Sequence, residues 1–240
     1  MELLKSGEVH LKYAFAEEFR ASSAFAKALP LLSEDEKIQF DRYAFEKDKN
    51  LYLLARFILR TTLSNYFNKI APVEWEFKFN SFGRPSIANK NRPENLHFNI
   101  SHSEGVVVCA FANTEDVGVD IESSERECSY LELAERYFSK LEFEKLKSSA
   151  ESKIPKEFFK FWTLKESYIK ARGMGLHIPL EQFSFTVVDN NDISIQFDPK
   201  LKDDVKRWQF KLLKLDSEYQ VAIALSTIGK LKVLEEQFVF

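Results

Sequence analysis

Four short clusters hold the residues whose types and spacing suggest chemistry. Val119-Asp120-Ile121-Glu122 alternates apolar and acidic residues. On a strand, positions two apart face the same way, so Asp120 and Glu122 would present two carboxylates on one face. Paired hard oxygens are what Mg2+ takes when it also holds substrate phosphates, although acids at a strand end are more often simply solvated. The second cluster is Phe161-Trp162-Thr163-Leu164-Lys165-Glu166-Ser167-Tyr168-Ile169-Lys170-Ala171. At ~100° per residue, Trp162, Lys165, Glu166, Ile169 and Lys170 share one broad helical face. Such a face suits neither a core nor a solvated surface. Glu166 and Lys170, four apart, make at least an i,i+4 pair. At most they supply a third metal ligand or base and a cation that steers a phosphate. In Phe98-Asn99-Ile100-Ser101-His102-Ser103, hydroxyl and imidazole donors follow an apolar strand and can meet phosphate oxygens, or merely turn the chain. Adjacent Ser and His do not make a hydrolase triad, which needs a base oriented by a third group. Ser81-Phe82-Gly83-Arg84-Pro85 reads as a rigid turn with an exposed cation able to grip phosphate bidentately. Lys47, Lys49, Arg56 and Arg60 add cations on a helix surface, where charges are usually solvated.

These clusters need elements to hold them. Residues 8–15 alternate as a strand. Ser33 is a good N-cap, with Glu34, Asp35 and Glu36 in the first turn of a helix over 35–43. A longer helix over 47–67 has a wide apolar face. Strands are expected at 75–79, 96–100, 106–111 and 117–122. The run at 106–111 is continuously apolar, as in a strand buried on both faces. Helices follow at 130–137, after Ser139, and over 155–171, the last opened by a proline and closed by Gly173. The tail from 183 to 225 reads mostly as strand. The order predicts an α+β protein of two similar halves, 1–115 and 116–240, each with one long helix and several strands.

Composition excludes several classes. The 240 residues carry 34 Lys+Arg against 37 Asp+Glu, a net charge of −3, which argues against bulk nucleic-acid binding. No apolar run approaches the ~18 residues of a membrane span. The start, Met1-Glu2-Leu3-Leu4-Lys5, lacks the order of a signal peptide, and two cysteines without CxxC fit a reducing, cytoplasmic setting. With 7 glycines there is no GxGxxG and no GxxxxGK[ST]. Phosphate chemistry here must therefore use Lys, Arg, a metal ion or a helix end.

In combination the clusters resemble a family. Phe-Gly-Arg-Pro at 82–85, Phe-Asn-Ile-Ser-His-Ser at 98–103, Gly-Val-Asp-Ile-Glu at 118–122 and the run at 161–171, in this order, look like the 4′-phosphopantetheinyl transferases of the surfactin-synthetase-activating type. Tyr137-Phe138-Ser139 followed by Glu142, and Leu53-Leu54-Ala55-Arg56, fit as well. The resemblance spans residues 33–185. It implies two similar α/β halves in a pseudo-twofold arrangement, with the active site in the cleft between them, and a monomer at this length. The implied reaction moves the phosphopantetheine arm of coenzyme A onto a serine of an apo acyl or peptidyl carrier protein. It requires Mg2+, with Mn2+ a possible substitute, and releases adenosine 3′,5′-bisphosphate.

The implied roles follow residue by residue. Asp120, Glu122 and Glu166 would hold the metal. Glu166, directly or through water on the metal, would be the base for the carrier serine, and Lys170 would stabilise the transferring phosphate. Arg84, Ser101 and His102 would bind the nucleotide end, with Lys47 a further cation and Lys165 near the phosphates. Leu51 stands where the family often has Arg, and Arg84 where Lys is common. A carrier protein is expected to meet exposed Lys and aromatic residues over 138–146. Two other classes use some of the same residues. A Mg2+-dependent phosphodiesterase or nuclease would turn over without apo carrier. A non-catalytic carrier binder would release no bisphosphate.

Overall fold

Every residue of the strand Val106–Ala112 is apolar, and each one is fully buried. The fold is arranged around that strand. The computed structural model describes residues 4–240, so the reading of Met1 to Leu3 as free of a leader lies outside the described residues. In chain order the elements are β1 (Glu8–Phe15), α1 (Ala16–Ala21), α2 (Ala24–Ala28), α3 (Glu34–Arg42), α4 (Glu46–Tyr66), β2 (Phe77–Phe79), β3 (Pro85–Ile87), β4 (His97–Ser103), β5 (Val106–Ala112) and β6 (Val117–Ser123). They continue with α5 (Tyr130–Tyr137), α6 (Lys140–Lys147), α7 (Ile154–Arg172), β7 (Phe183–Val187), β8 (Ile193–Phe197), β9 (Trp208–Leu215), β10 (Tyr219–Ser226) and β11 (Lys232–Gln237).

Local chemistry explains the helix starts. Ser33 accepts the Glu36 N–H and Glu36 returns a bond to the Ser33 N–H, a capping box that opens α3. Ser139 and Glu142 do the same for α6. Helix α7 carries a proline in its first turn and stops at Gly173, whose φ of 64° is the left-handed conformation that favours glycine.

The sheets repeat one plan, as an α+β fold of two similar halves. One sheet runs β11-β1-β5-β4 and another β6-β10-β9; hairpins β2-β3 and β7-β8 stand beside them. In each half an opening strand is followed by a long helix (α4 or α7) and a hairpin. An antiparallel pair then closes the half, with its second strand seated in the middle. Helix α4 covers one sheet through Leu54, Ile58, Phe98, Val107 and Phe111. Helix α7 covers the other through Leu164, Tyr168, Phe210, Ala222 and Ala224. The remaining faces of the two sheets share a third core, with Val9, Leu11 and Val108 meeting Val119, Ile121 and Val221.

Sequence periodicity leaves α1, α2, β3 and β11 unassigned. Strand β11 pairs in parallel with β1 at the opposite end of the chain. Of the two arginines expected as surface charges, Arg60 is inside and Arg56 is half-buried. The Arg60 side chain is 1% exposed and ion-paired with Glu36 at 2.6 Å, because the capping carboxylate of α3 supplies its counter-charge.

Candidate active site

The halves meet where β4 and β6 run side by side in different sheets. Polar side chains on alternate β4 positions take the place of a backbone ladder. Asn99 Oδ1 accepts the Val119 N–H at 3.0 Å and Ser103 Oγ accepts the Ser123 N–H at 3.3 Å. Ser101 Oγ donates to Asp120 Oδ1 at 2.9 Å. Sequence reading missed Asn99 and Ser103 as seam residues, although Asn99, Ser101 and Ser103 recur with the strand period of two.

Helix α7 presses on β6 at Gly118. A Cβ there would lie 2.0 Å from the Ser167 carbonyl oxygen and 2.6 Å from the Ala171 nitrogen, so only glycine permits the approach. Lys170 thereby reaches the seam. Its Nζ donates to Asp120 Oδ1 at 2.6 Å and to Ser101 Oγ at 2.8 Å. Glu122, on the same face of β6 as Asp120, accepts from Ser103 Oγ at 3.3 Å and from Arg126 Nη1 at 3.1 and 3.0 Å. Asp120 Oδ2 is buried and has no hydrogen-bond partner among the described residues.

Three acids crowd one another here. Burial first, then the Asp120 charge, raises the Glu166 carboxyl from 4.5 to about 7, against a lesser opposing pull from Lys170. Burial and Asp120 also raise Glu122. Among the described residues, no three His, Cys, Asp or Glu side chains are placed so that together they could already hold a metal ion.

The other candidate residues fall into separate places. His102 lies on the α4 side of β4, opposite Ser101. Desolvation first and Lys170 second hold its imidazole below the ordinary value, and Asp48 of α4 pulls the other way. Lys47 is exposed in the first turn of α4. A cavity of about 250 Å3 between the halves is lined by Phe82, Arg84, Ile100, Ile169 and Lys170 among others.

Arg84 is a clamp rather than the free exposed cation expected of a turn. Its Nη1 donates to the Ala171 carbonyl at 3.0 Å and its Nη2 to the Glu115 carbonyl. Asn80 Nδ2 donates to the Gly173 carbonyl at 2.7 Å, so the β2–β3 turn grips the end of α7.

Lys165 is not brought to the cluster. It turns inward, with its side chain 0% exposed, and pairs with Glu142 at 2.7 Å. Its ammonium also donates to the Leu180 and Phe183 carbonyls. One residue along a helix is a ~100° rotation, so the broad face drawn from sequence splits. Glu166 and Lys170 face the seam, and Lys165 faces the α6–β7 side.

Comparison with known proteins finds sequence matches in both halves. The 4′-phosphopantetheinyl transferase superfamily pattern matches residues 116–224, and the N-terminal pattern of a 4′-phosphopantetheinyl transferase matches residues 20–114. The 4′-phosphopantetheinyl transferase gsp of Aneurinibacillus migulanus is 34% identical over 76% of this chain and 73% of its own. HetI of Nostoc sp. is 29% identical over 94% and 91% respectively, and Sfp of Bacillus subtilis 29% over 81% and 82%. Both are 4′-phosphopantetheinyl transferases. With both halves matched and relatives of this identity and coverage, the chain belongs to the 4′-phosphopantetheinyl transferase superfamily and is of its Sfp type.

Proposed function

We propose that the chain transfers the 4′-phosphopantetheine arm of coenzyme A to a serine of an apo acyl or peptidyl carrier protein. The reaction is Mg2+-dependent and releases adenosine 3′,5′-bisphosphate. The observation that carries this reading is the convergence of Asp120, Glu122, Glu166 and Lys170 on one seam between the halves.

The donor set fits a hard divalent cation. Its groups are all carboxylate oxygens, Asp120 Oδ2 is buried without a partner among the described residues, and burial first, then the Asp120 and Glu122 charges, raises the Glu166 carboxyl to about 7. Asp120, Glu122 and Glu166 are the residues that would hold Mg2+, or Mn2+ in its place. The cation would supply charge neutralisation on the pyrophosphate and the leaving bisphosphate.

The chain's own groups do the rest. Glu166 accepts the proton of the carrier serine hydroxyl as the serine oxygen bonds to the β-phosphorus of coenzyme A. The bond from that phosphorus to the bridging oxygen breaks, and the electron pair leaves with the bisphosphate. Lys170, held by Asp120 and Ser101, puts a fixed cation beside the transferring phosphate. Arg84 shapes the cavity for the nucleotide end from the hairpin side, and His102 and Lys47 offer donors from the α4 side. In this division the half over 1–115 serves the coenzyme and the half over 116–240 supplies the acids. Docking of the carrier falls to α6, where Leu141 is 58% exposed beside exposed Lys140 and Lys145. Phe138, by contrast, is buried against Phe158.

The test is chromatography of the reaction with coenzyme A and Mg2+, with and without an apo carrier. Bisphosphate released only when the carrier is present supports transfer. Release without carrier supports a phosphodiesterase instead, and no release with several carriers supports a non-catalytic binder.

A further inference from the structure

Three acids face the seam, and two of them are already held by cations of the chain itself. Lys170 holds Asp120 and shares its ammonium with Ser101 inside the site. Arg126 holds Glu122 from outside. A single Nη1 reaches both carboxylate oxygens, at 3.1 and 3.0 Å. The Arg126 side chain is 49% exposed, against 13% for Glu122.

The loop that carries Arg126, between β6 and α5, is pinned by its backbone. Arg126 N–H donates to the Ser123 carbonyl at 3.3 Å, and Glu125 N–H to Ser123 Oγ at 3.2 Å. Tyr130 Oη donates to the Arg126 carbonyl at 2.8 Å. The root of the side chain is fixed while its guanidinium stands half in solvent. It can therefore leave Glu122 without moving the loop.

We propose that Arg126 is an internal competitor for the divalent cation: its guanidinium occupies Glu122 until the cation takes that carboxylate, and so sets the cation affinity of this chain. The inference rests on the assignment of Glu122 to the cation site made above. A divalent ion reaching Glu122 either displaces the guanidinium or sits beside an uncompensated positive charge, and both weaken binding. A half-exposed ion pair is itself weak, so the competitor lowers the affinity without abolishing it. The apparent affinity then scales with the fraction of Glu122 that is free of Arg126. Lys170 is not equivalent, because its ammonium faces the cavity and the phosphate.

The experiment is a Mn2+ titration of the full chain with coenzyme A present and no carrier, so that nothing turns over. The paramagnetic resonance signal of free Mn2+ is the readout. R126Q is expected to bind Mn2+ roughly three- to tenfold tighter than the unaltered chain, with R126K between them. E122Q is expected to bind more weakly, and adding R126Q to it should change nothing further, because the competition needs the carboxylate. Mn2+ bound at the same midpoint, or more weakly, in R126Q overturns the competitor and leaves the cation site standing. Coenzyme A bound but no Mn2+ taken up by any of the proteins overturns the cation site and the competitor together.

Discussion

Glu166 has no cation within ion-pairing distance among the described residues, whereas its neighbours Asp120 and Glu122 each have one. That imbalance makes it the group most open to titration, and the sign of its effect on stability is fixed. Its carboxyl rises from 4.5 to about 7 on folding, so the folded chain binds that proton more tightly than the unfolded chain. The resulting stabilisation is present below 4.5 and is lost as the pH rises through 7. In urea melts with chelator present, E166Q should therefore be more stable than the unaltered chain at pH 8, by up to about 3 kcal/mol. Below pH 4 the two should coincide, and an equal gain at both pH values would contradict the assignment. The pairing of Asp120 with Glu122 on one strand face was legible from the alternation of Val119-Asp120-Ile121-Glu122. The fate of Arg84 was not. Its partners are carbonyls at 115 and 171, and no local pattern announces a bond across that distance.

At the scale of elements, the site depends on how closely α7 meets β6. An added methyl at Gly118 would strike backbone, not a flexible side-chain end, so the helix itself must move. G118A should keep a folded spectrum, lose several degrees in Tm and lose at least tenfold in carrier modification, since small misplacements of catalytic groups are costly. Unchanged activity would mean that the Lys170–Asp120 contact tolerates a shifted helix. The buried Lys165–Glu142 pair makes a separate prediction. Removing one partner strands a buried charge, so K165M should cost about 3–5 kcal/mol, and E142L/K165M should not recover it, because Glu142 also caps α6 and accepts the buried Phe185 N–H at 2.8 Å. Below its melting temperature K165M should still bind coenzyme A. Loss of that binding in a folded variant would return Lys165 to the phosphates.

The long helices, the cap at Ser33 and the apolar run of β5 were legible because their signals are local: period, capping residue, hydrophobic continuity. Helices α1 and α2 are too short for a period to show, and they are held by packing through Phe19, Ala24 and Ala28 against α4. Strand β11 reads Lys-Val-Leu-Glu-Glu-Gln and owes its form to parallel pairing with β1.

At the scale of the molecule, the two halves repeat a topology without repeating a sequence, and the seam between them is polar where the rest of each sheet is apolar. A cavity lined from both halves opens at that seam, while the third apolar core, shared by the two sheets, holds the halves together. No helix among the described residues is long and apolar enough to cross a membrane. If the carrier meets α6, reversing charge there with K140E/K145E should slow modification of an acidic carrier severalfold and leave coenzyme A binding unchanged. An equal fall in coenzyme A binding would place the docking surface elsewhere.

The most direct measurement is the intact mass of an apo carrier protein after incubation with this chain, coenzyme A and Mg2+, beside D120A/E166A as control. The account predicts a gain of one phosphopantetheine with the unaltered chain and none with the variant, while both remain folded. A gain of equal rate with D120A/E166A would contradict the placement of the chemistry at the seam.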